Sequence, residues 1–140
     1  MLKKLSSPKR IQDFLDALPI NFEEHADTCM SPRRVLREGK AHCLEGALLA
    51  ALALSLQGER PLLLDLTSVE GDDDHVVALF RSRGRWGAIS KTNHAVLRYR
   101  EPIYTTVREL ALSYFHEYFT NDGKKTLRSW GPRTTAWSRL

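Results

Sequence analysis

The sequence of 140 residues lacks most features that mark exported or membrane proteins. It has only two cysteines, Cys29 and Cys43, which is too few for a disulfide scaffold. No apolar run reaches the roughly 18 residues that a membrane span needs, and the longest candidate, residues 47–56, is interrupted at Ser55. The N-terminus is basic but no apolar segment follows it, so we expect no signal peptide, reduced thiols and a cytoplasmic protein.

The chain also lacks repeats, low-complexity segments and a basic body. Hydrophobic residues make up 42% and charged residues 27%, and a globular chain of this length predicts a single domain, residues 1–140. The net charge is +4. The terminal segments 1–10 and 121–140 each carry +4, so residues 11–120 carry −4. Dedicated nucleic-acid binders place a basic face on the folded body, so this distribution argues against a nucleic-acid partner.

Serine-proline pairs mark the starts of two predicted helices. Ser7 and Ser31 are suited to the N-cap position, with proline next in the first helical turn. Gly39 is expected to end the second helix. The strongest element is residues 41–56, where alanine and leucine dominate and apolar residues cover nearly every side. We expect this central helix to be buried in the middle of the fold.

Strand patterns follow the central helix. Residues 60–68 predict a buried strand, and residues 75–90 predict a hairpin around a turn at residues 82–84. Thr106 and Glu109 form a capping-box pair that predicts a late helix. Strands joined by a short turn exclude a fully parallel sheet. The predicted fold class is therefore α+β, with N-terminal helices and a buried central helix packed on an antiparallel sheet.

Cys43 lies near the predicted start of the central helix, where a thiol has a chemical reason to ionise. Free N–H groups and the helix dipole stabilise an anion there, and the same N–H groups suit an oxyanion. A cysteine nucleophile also needs a base that is distant in sequence, usually histidine. His42 is adjacent, and neighbouring helical side chains diverge by about 100°. His75 is the preferred base because it begins a strand directly after a loop.

The order of these elements resembles the transglutaminase-like superfamily, which has a papain-like core. The usual pattern is a cysteine followed by small and apolar residues, a histidine that opens a strand, and an aspartate a few residues after a hairpin tryptophan. The stretch HCLEGALLAALAL matches the first part around Cys43, and DHVVALFRSRGRW matches the second, from His75 to Trp86. The resemblance covers residues 41–91. It implies Cys43 as nucleophile and His75 as base.

The chain departs from this pattern at the orienting residue. Ser90 stands four residues after Trp86, where the pattern has aspartate, and a hydroxyl carries no charge to stabilise imidazolium. Asn93 is the alternative, because papain-like enzymes use asparagine. A turn centred between residues 82 and 83 would pair His75 with Ser90, and a turn centred on Gly84 would pair it with Asn93. Both registers stay open at this point.

The resemblance implies a cysteine acyltransferase, or an amidohydrolase or protease, acting on peptide, protein or small amide substrates without a cofactor. The alternative is a catalytically degenerate member that serves as a binding or structural module. Residues 90–104 either line the cleft and favour an anionic or carbonyl-rich ligand, or form a polar loop leading into an edge strand. A zinc site has the right ligand types in His25, Cys29, His42 and Cys43, but their spacing matches no familiar zinc pattern. The sequence leaves the oligomeric state open.

Overall fold

The computed structural model describes residues 2–23 and 28–133. The helices are α1 (Pro8–Ala17), α2 (Pro32–Glu38), α3 (Cys43–Ser55) and α4 (Val107–Leu112). The strands are β1 (Leu62–Ser68), β2 (His75–Ser82), β3 (Arg85–Ile89), β4 (Arg100–Tyr104) and β5 (Leu127–Pro132). Both serine-proline starts are confirmed: Ser7 accepts a hydrogen bond from Arg10 N–H, and Ser31 accepts one from Arg34 N–H. Gly39 ends α2 in the left-handed conformation, at φ 69°.

The five strands form one antiparallel sheet in the order β4-β3-β2-β1-β5. The helices α1, α2 and α3 cover one face, and α3 packs mainly on β2. The other face packs against α4 and the buried aromatic residues Tyr114 and Tyr118. The predicted α+β class, with a buried central helix on an antiparallel sheet, is confirmed by this arrangement.

The predicted hairpin exists, but neither predicted register is correct. Ala78 pairs with Ile89 and Ser82 with Arg85, so the turn is centred between Arg83 and Gly84. Both turn residues have positive φ, 51° and 78°, as a two-residue type I′ turn requires. The sequence predicted the turn at residues 82–84 but not its register, because arginine is a rare occupant of the left-handed region.

Two helices have different limits in the structure than their sequence patterns predict. The central helix begins at Cys43 rather than Ala41, with His42 as its N-cap. The late helix is shorter than its pattern indicates, because α4 ends at Leu112 and a 3-10 turn follows at Phe115–Glu117. Thr106 caps α4 as predicted by accepting from Glu109 N–H. The Glu109 carboxylate accepts from Thr105 instead of from Thr106 N–H, so only the Thr106 half of the capping box is formed.

The segment before α4 ends in an edge strand, β4, as one of the two interpretations of residues 90–104 required. The tail had no recognisable period, yet residues 127–132 form the opposite edge strand. His25 and the last residues of the basic tail, 134–140, which include Trp137, lie outside the described residues. Within the described ranges, no helix is long and apolar enough to cross a membrane.

Candidate active site

Cys43 is the first residue of α3. Its sulfur contacts three groups: the rings of His42 and His75, and the backbone N–H of Val76 at the start of β2. Burial alone would raise the pKa of this thiol. The two histidines and the Val76 N–H outweigh burial and lower its pKa to about 6, which favours the thiolate.

The His75 ring lies between the thiol and Ser90. Its Nε2 is 2.7 Å from Ser90 Oγ, and Ser90 Oγ donates to the Leu97 carbonyl at 2.5 Å. A serine hydroxyl has one proton to donate, so Ser90 accepts from His75 Nε2–H. The other ring nitrogen, Nδ1, is left to face the sulfur of Cys43, where it can exchange a proton with the thiol. Ser90 thus fixes the tautomer and the orientation of His75 without supplying a negative charge.

Ser90 reaches His75 diagonally across the hairpin. The observed register, continued beyond Ile89, sets Ser90 opposite Val77, on the face of the sheet that also carries the His75 side chain. The side chain of Gln12 on α1 holds this position. Its amide donates to Ser90 C=O at 2.8 Å and accepts from Ser90 N–H at 2.9 Å. Gln12 therefore hydrogen-bonds both the N–H and the C=O of Ser90, which follows the last residue of β3 and, within the described ranges, has no ladder partner there.

Lys91 fixes the same segment on its other side. Its Nζ donates to the carbonyls of Leu15 and Leu18 at the end of α1, where a cation is favourable. The start of α3 packs against it so closely that a Cβ on Gly46 would lie 2.4 Å from Lys91 Cβ. Glycine at position 46 is therefore what allows α3, and Cys43 with it, to approach the segment that carries Ser90.

Asn93, the other predicted orienting residue, lies elsewhere. It is exposed in the bend after β3 and lines the cleft, but in the described part of the chain its side chain makes no hydrogen bond to His75. His94 is likewise exposed. The structure thus brings together Cys43, His75 and Ser90, and leaves Asn93 at the rim.

The sequence argument against His42 does not hold in this geometry. As the N-cap residue, His42 has an extended backbone, with φ −94° and ψ −175°, so the divergence of neighbouring helical side chains does not apply to it. Its ring contacts the Cys43 sulfur on one side, and on the other side its Nε2 lies 2.7 Å from the Thr28 carbonyl. A glutamate three residues after His42, at Glu45, was the available signal of a capping box.

A cleft of about 560 Å³ opens beside the thiol. Five carboxylate residues line it: Glu23, Asp72, Asp73, Asp74 and Glu117. The predicted cations of residues 90–104 are already engaged, since Lys91 binds α1 carbonyls, Arg98 pairs with Asp16 and Arg100 pairs with Glu117. Carboxylate side chains therefore outnumber lysine and arginine side chains in the lining of the cleft, and the expectation of an anionic or carbonyl-rich ligand stays a prediction.

No metal site is assembled in the described ranges, where no group of three or more His, Cys, Asp or Glu side chains is arranged to hold an ion. His25, one of the four residues weighed as zinc ligands, lies outside those ranges. Cys29 is exposed, and partial burial of its thiol together with the nearby Glu45 raises its pKa. The pKa values of the two thiols are therefore shifted in opposite directions, upward for Cys29 and downward for Cys43.

Comparison with known proteins supports the architecture. No family model matches the chain, and no curated protein matches it. Among solved structures, it is similar to the crystal structure of a TGase, with a TM-score of 0.51 and 14% identity. The match covers 89% of this chain but 36% of that protein, so the chain spans about a third of its length. A likeness at this identity speaks for the fold alone: the α+β fold of this chain is similar to part of that structure.

Proposed function

We propose that the protein is a cysteine-dependent acyltransferase or amide hydrolase. The observation that carries this proposal is the His75 ring held by Ser90 Oγ at 2.7 Å on one side, with the sulfur of Cys43 on the other. A nucleophile, a base within hydrogen-bond reach and a group that orients the base are the parts that acyl transfer through cysteine requires.

In the acylation step, the Cys43 thiolate attacks the carbonyl carbon of an amide and forms the S–C bond. The carbonyl electron pair moves to oxygen. The N–H groups of Cys43 and Leu44 make no hydrogen bond to any described residue, and as the first N–H groups of α3 they are available to this oxyanion. The C–N bond then breaks, and His75, which has taken up the proton of the Cys43 thiol, gives that proton to the leaving amine.

In the second step, water or an amine attacks the thioester carbonyl, and neutral His75 accepts the proton of the attacking molecule. The tetrahedral intermediate collapses and expels the Cys43 thiolate. Attack by water gives a carboxylic acid, and attack by an amine gives a new amide. Neither step requires a metal or an organic cofactor, and every proton is carried by His75.

The substrates that suit the cleft are peptide, protein or small amide groups without net negative charge. Its volume of about 560 Å³ accommodates a side chain or a short peptide segment. The carboxylates of Asp72, Asp73 and Asp74 line the cleft close to His75 and take part in no ion pair within the described ranges. They disfavour an acidic residue next to the scissile amide.

Mass spectrometry of the intact protein tests this proposal. The protein is incubated with p-nitrophenyl acetate, and separately with a glutamine-containing peptide and a fluorescent primary amine. We expect an acyl adduct on Cys43, turnover in both assays, and no adduct in Cys43→Ser. A peptide joined to the amine indicates transfer, and release of the free acid indicates hydrolysis. Failure of both probes to modify Cys43 would contradict the proposal.

One observation favours a second candidate, a non-catalytic binding module of the same fold. Ser90 carries no charge, so His75 lacks the carboxylate that stabilises imidazolium in complete triads. On this alternative the cleft binds a peptide that is never cleaved. Burst kinetics with p-nitrophenyl acetate separate the two candidates, because a binding module gives neither a stoichiometric burst nor steady turnover.

A further inference from the structure

Two carboxylates lie beside the ring of His42 on the side away from Cys43. His42 Nε2 lies 3.0 Å from Glu23 Oε1 and 3.4 Å from Glu45 Oε1, in addition to its 2.7 Å contact with the Thr28 carbonyl. Three oxygens thus face one ring nitrogen. The His75 ring, by contrast, has the neutral Ser90 hydroxyl as its distal partner.

Glu45 is built into the fold as a fixed charge. Its side chain is 0% exposed and accepts hydrogen bonds from Asn21 Nδ2 at 2.9 Å, Met30 N–H at 2.6 Å and His42 N–H at 3.0 Å. Burial alone would raise the pKa of this carboxyl, but these hydrogen bonds lower it. The neighbouring His42 ring also favours the ionised carboxyl, with a smaller effect than these hydrogen bonds.

Glu23 is directed at the same ring by an unusual backbone. It adopts φ 55°, which costs energy in a residue that is not glycine. Its N–H donates to Asn21 Oδ1, and its Oε2 accepts from Thr28 N–H. Its other oxygen is left to contact His42. The loop before α2 thus contributes a second carboxylate to the far side of the imidazole.

We propose that His42, supported by Glu45 and Glu23, is the permanent cation that keeps Cys43 ionised, while His75 carries the protons of the reaction. This division of roles rests on the proposed acyl chemistry at Cys43 and deepens it. The charge of His42 does not change during the cycle. A neutral partner such as Ser90 is then sufficient for His75, because His75 does not have to sustain the ion pair alone.

The groups around His42 agree with this role. Within the described ranges, Glu23 faces it from the loop before α2, Glu45 and Cys43 face it from α3, and His75 lies across the sulfur on β2. Burial would lower the pKa of His42, but the Cys43 thiolate, the Thr28 carbonyl and the Glu45 charge raise it to about 9. The capping contact from Glu45 N–H to His42 Nδ1 is long, 3.4 Å, so protonation of Nδ1 gives up only a weak hydrogen bond.

The test is the pH dependence of Cys43 alkylation by iodoacetamide, with both cysteines resolved by peptide mass spectrometry. In His42→Asn, asparagine still caps α3 but supplies no charge. We expect its rate constant at pH 6.5 to fall roughly tenfold or more, because a Cys43 pKa that rises from about 6 toward the ordinary value of about 8.5 would leave only about 1% thiolate at that pH. We expect a smaller fall in His75→Asn. A His42→Asn rate within twofold of the wild-type rate, or a larger fall in His75→Asn, would overturn the proposal.

Two further variants keep the test decisive. Thr106→Asn makes the same kind of substitution at the N-cap of α4 and should leave the Cys43 rate unchanged. If His42→Asn does not fold, Glu23→Gln removes one carboxylate from a partly exposed side chain and should still slow alkylation at pH 6.5 by about twofold or more. No change in Glu23→Gln would then count against the proposal. Iodoacetamide is not a substrate, so a failed acyl-adduct experiment and a failed alkylation experiment are distinguishable.

Discussion

The substitution Ser90→Ala tests whether Ser90 orients the His75 ring or only fills space in the core. Ser90 is 1% exposed, and its hydroxyl serves two groups, His75 Nε2–H and the Leu97 carbonyl. Alanine leaves both without a partner. An unsatisfied buried group costs about 1–3 kcal/mol, and water from the cleft partly reaches His75, so we expect a loss of about 2–4 kcal/mol in unfolding free energy. Urea denaturation measures this loss.

Ser90→Ala should slow hydrolysis of the acetyl-enzyme more than it slows the initial attack on the ester. Attack by a thiolate on p-nitrophenyl acetate needs no base, whereas hydrolysis of the acetyl-enzyme needs neutral His75 in its correct tautomer. We expect the burst to remain and steady turnover to fall roughly 10- to 100-fold, within what general base catalysis contributes. Ser129→Ala, on the exposed face of β5, is the matched control and should stay within about 0.5 kcal/mol of wild type. Unchanged turnover in Ser90→Ala would refute an orienting role.

Three other perturbations have defined outcomes. Gly46→Ala, which usually stabilises a helix, should here lower the unfolding free energy by about 1–3 kcal/mol because the new Cβ would lie 2.4 Å from Lys91 Cβ; calorimetry showing a gain would contradict this packing. Iodoacetate should alkylate Cys43 about three- to tenfold more slowly than iodoacetamide, relative to the same ratio for glutathione, because carboxylates line the cleft at residues 72–74, and 1 M salt should reduce the difference. The hydrogen bonds of Glu45 outweigh burial and lower its pKa, so its carboxylate contributes stability above the unfolded pKa of about 4.3, and this stability is lost as the pH falls through the lower folded pKa. In Glu45→Gln, the unfolding free energy from urea titrations should depend less on acid pH, and an unchanged pH dependence would contradict this role of Glu45.

Local signals in the sequence predicted much of the fold. The two serine-proline pairs identified the starts of α1 and α2, because a capping hydroxyl and a proline act within one helical turn. The apolar run after Cys43 identified the buried helix α3. The hairpin was visible from its two β-rich runs, but its register depended on a left-handed Arg83, which has no sequence signature.

The site was less predictable because its supports come from distant segments. The contact of Gln12 with Ser90 spans 78 positions in the chain, and a glutamine on a helix gives no indication of such a partner. His42 was set aside because it was assigned to the interior of the helix, and its N-cap conformation reverses that conclusion. Helix boundaries are predicted only to within one or two residues. A helix that begins at Cys43 makes His42 its N-cap, so that the His42 ring can reach the sulfur of Cys43.

The most direct measurement is the apparent pKa of Cys43 in the intact wild-type protein, from the rate of iodoacetamide alkylation between pH 5 and pH 10 with Cys29 as the internal reference. The contacts with His42, His75 and the Val76 N–H predict a midpoint at about 6 for Cys43, well below that of Cys29, whose pKa is raised. A Cys43 rate that rises only near the ordinary thiol value of about 8.5 would contradict the central claim that this thiol is activated for acyl transfer.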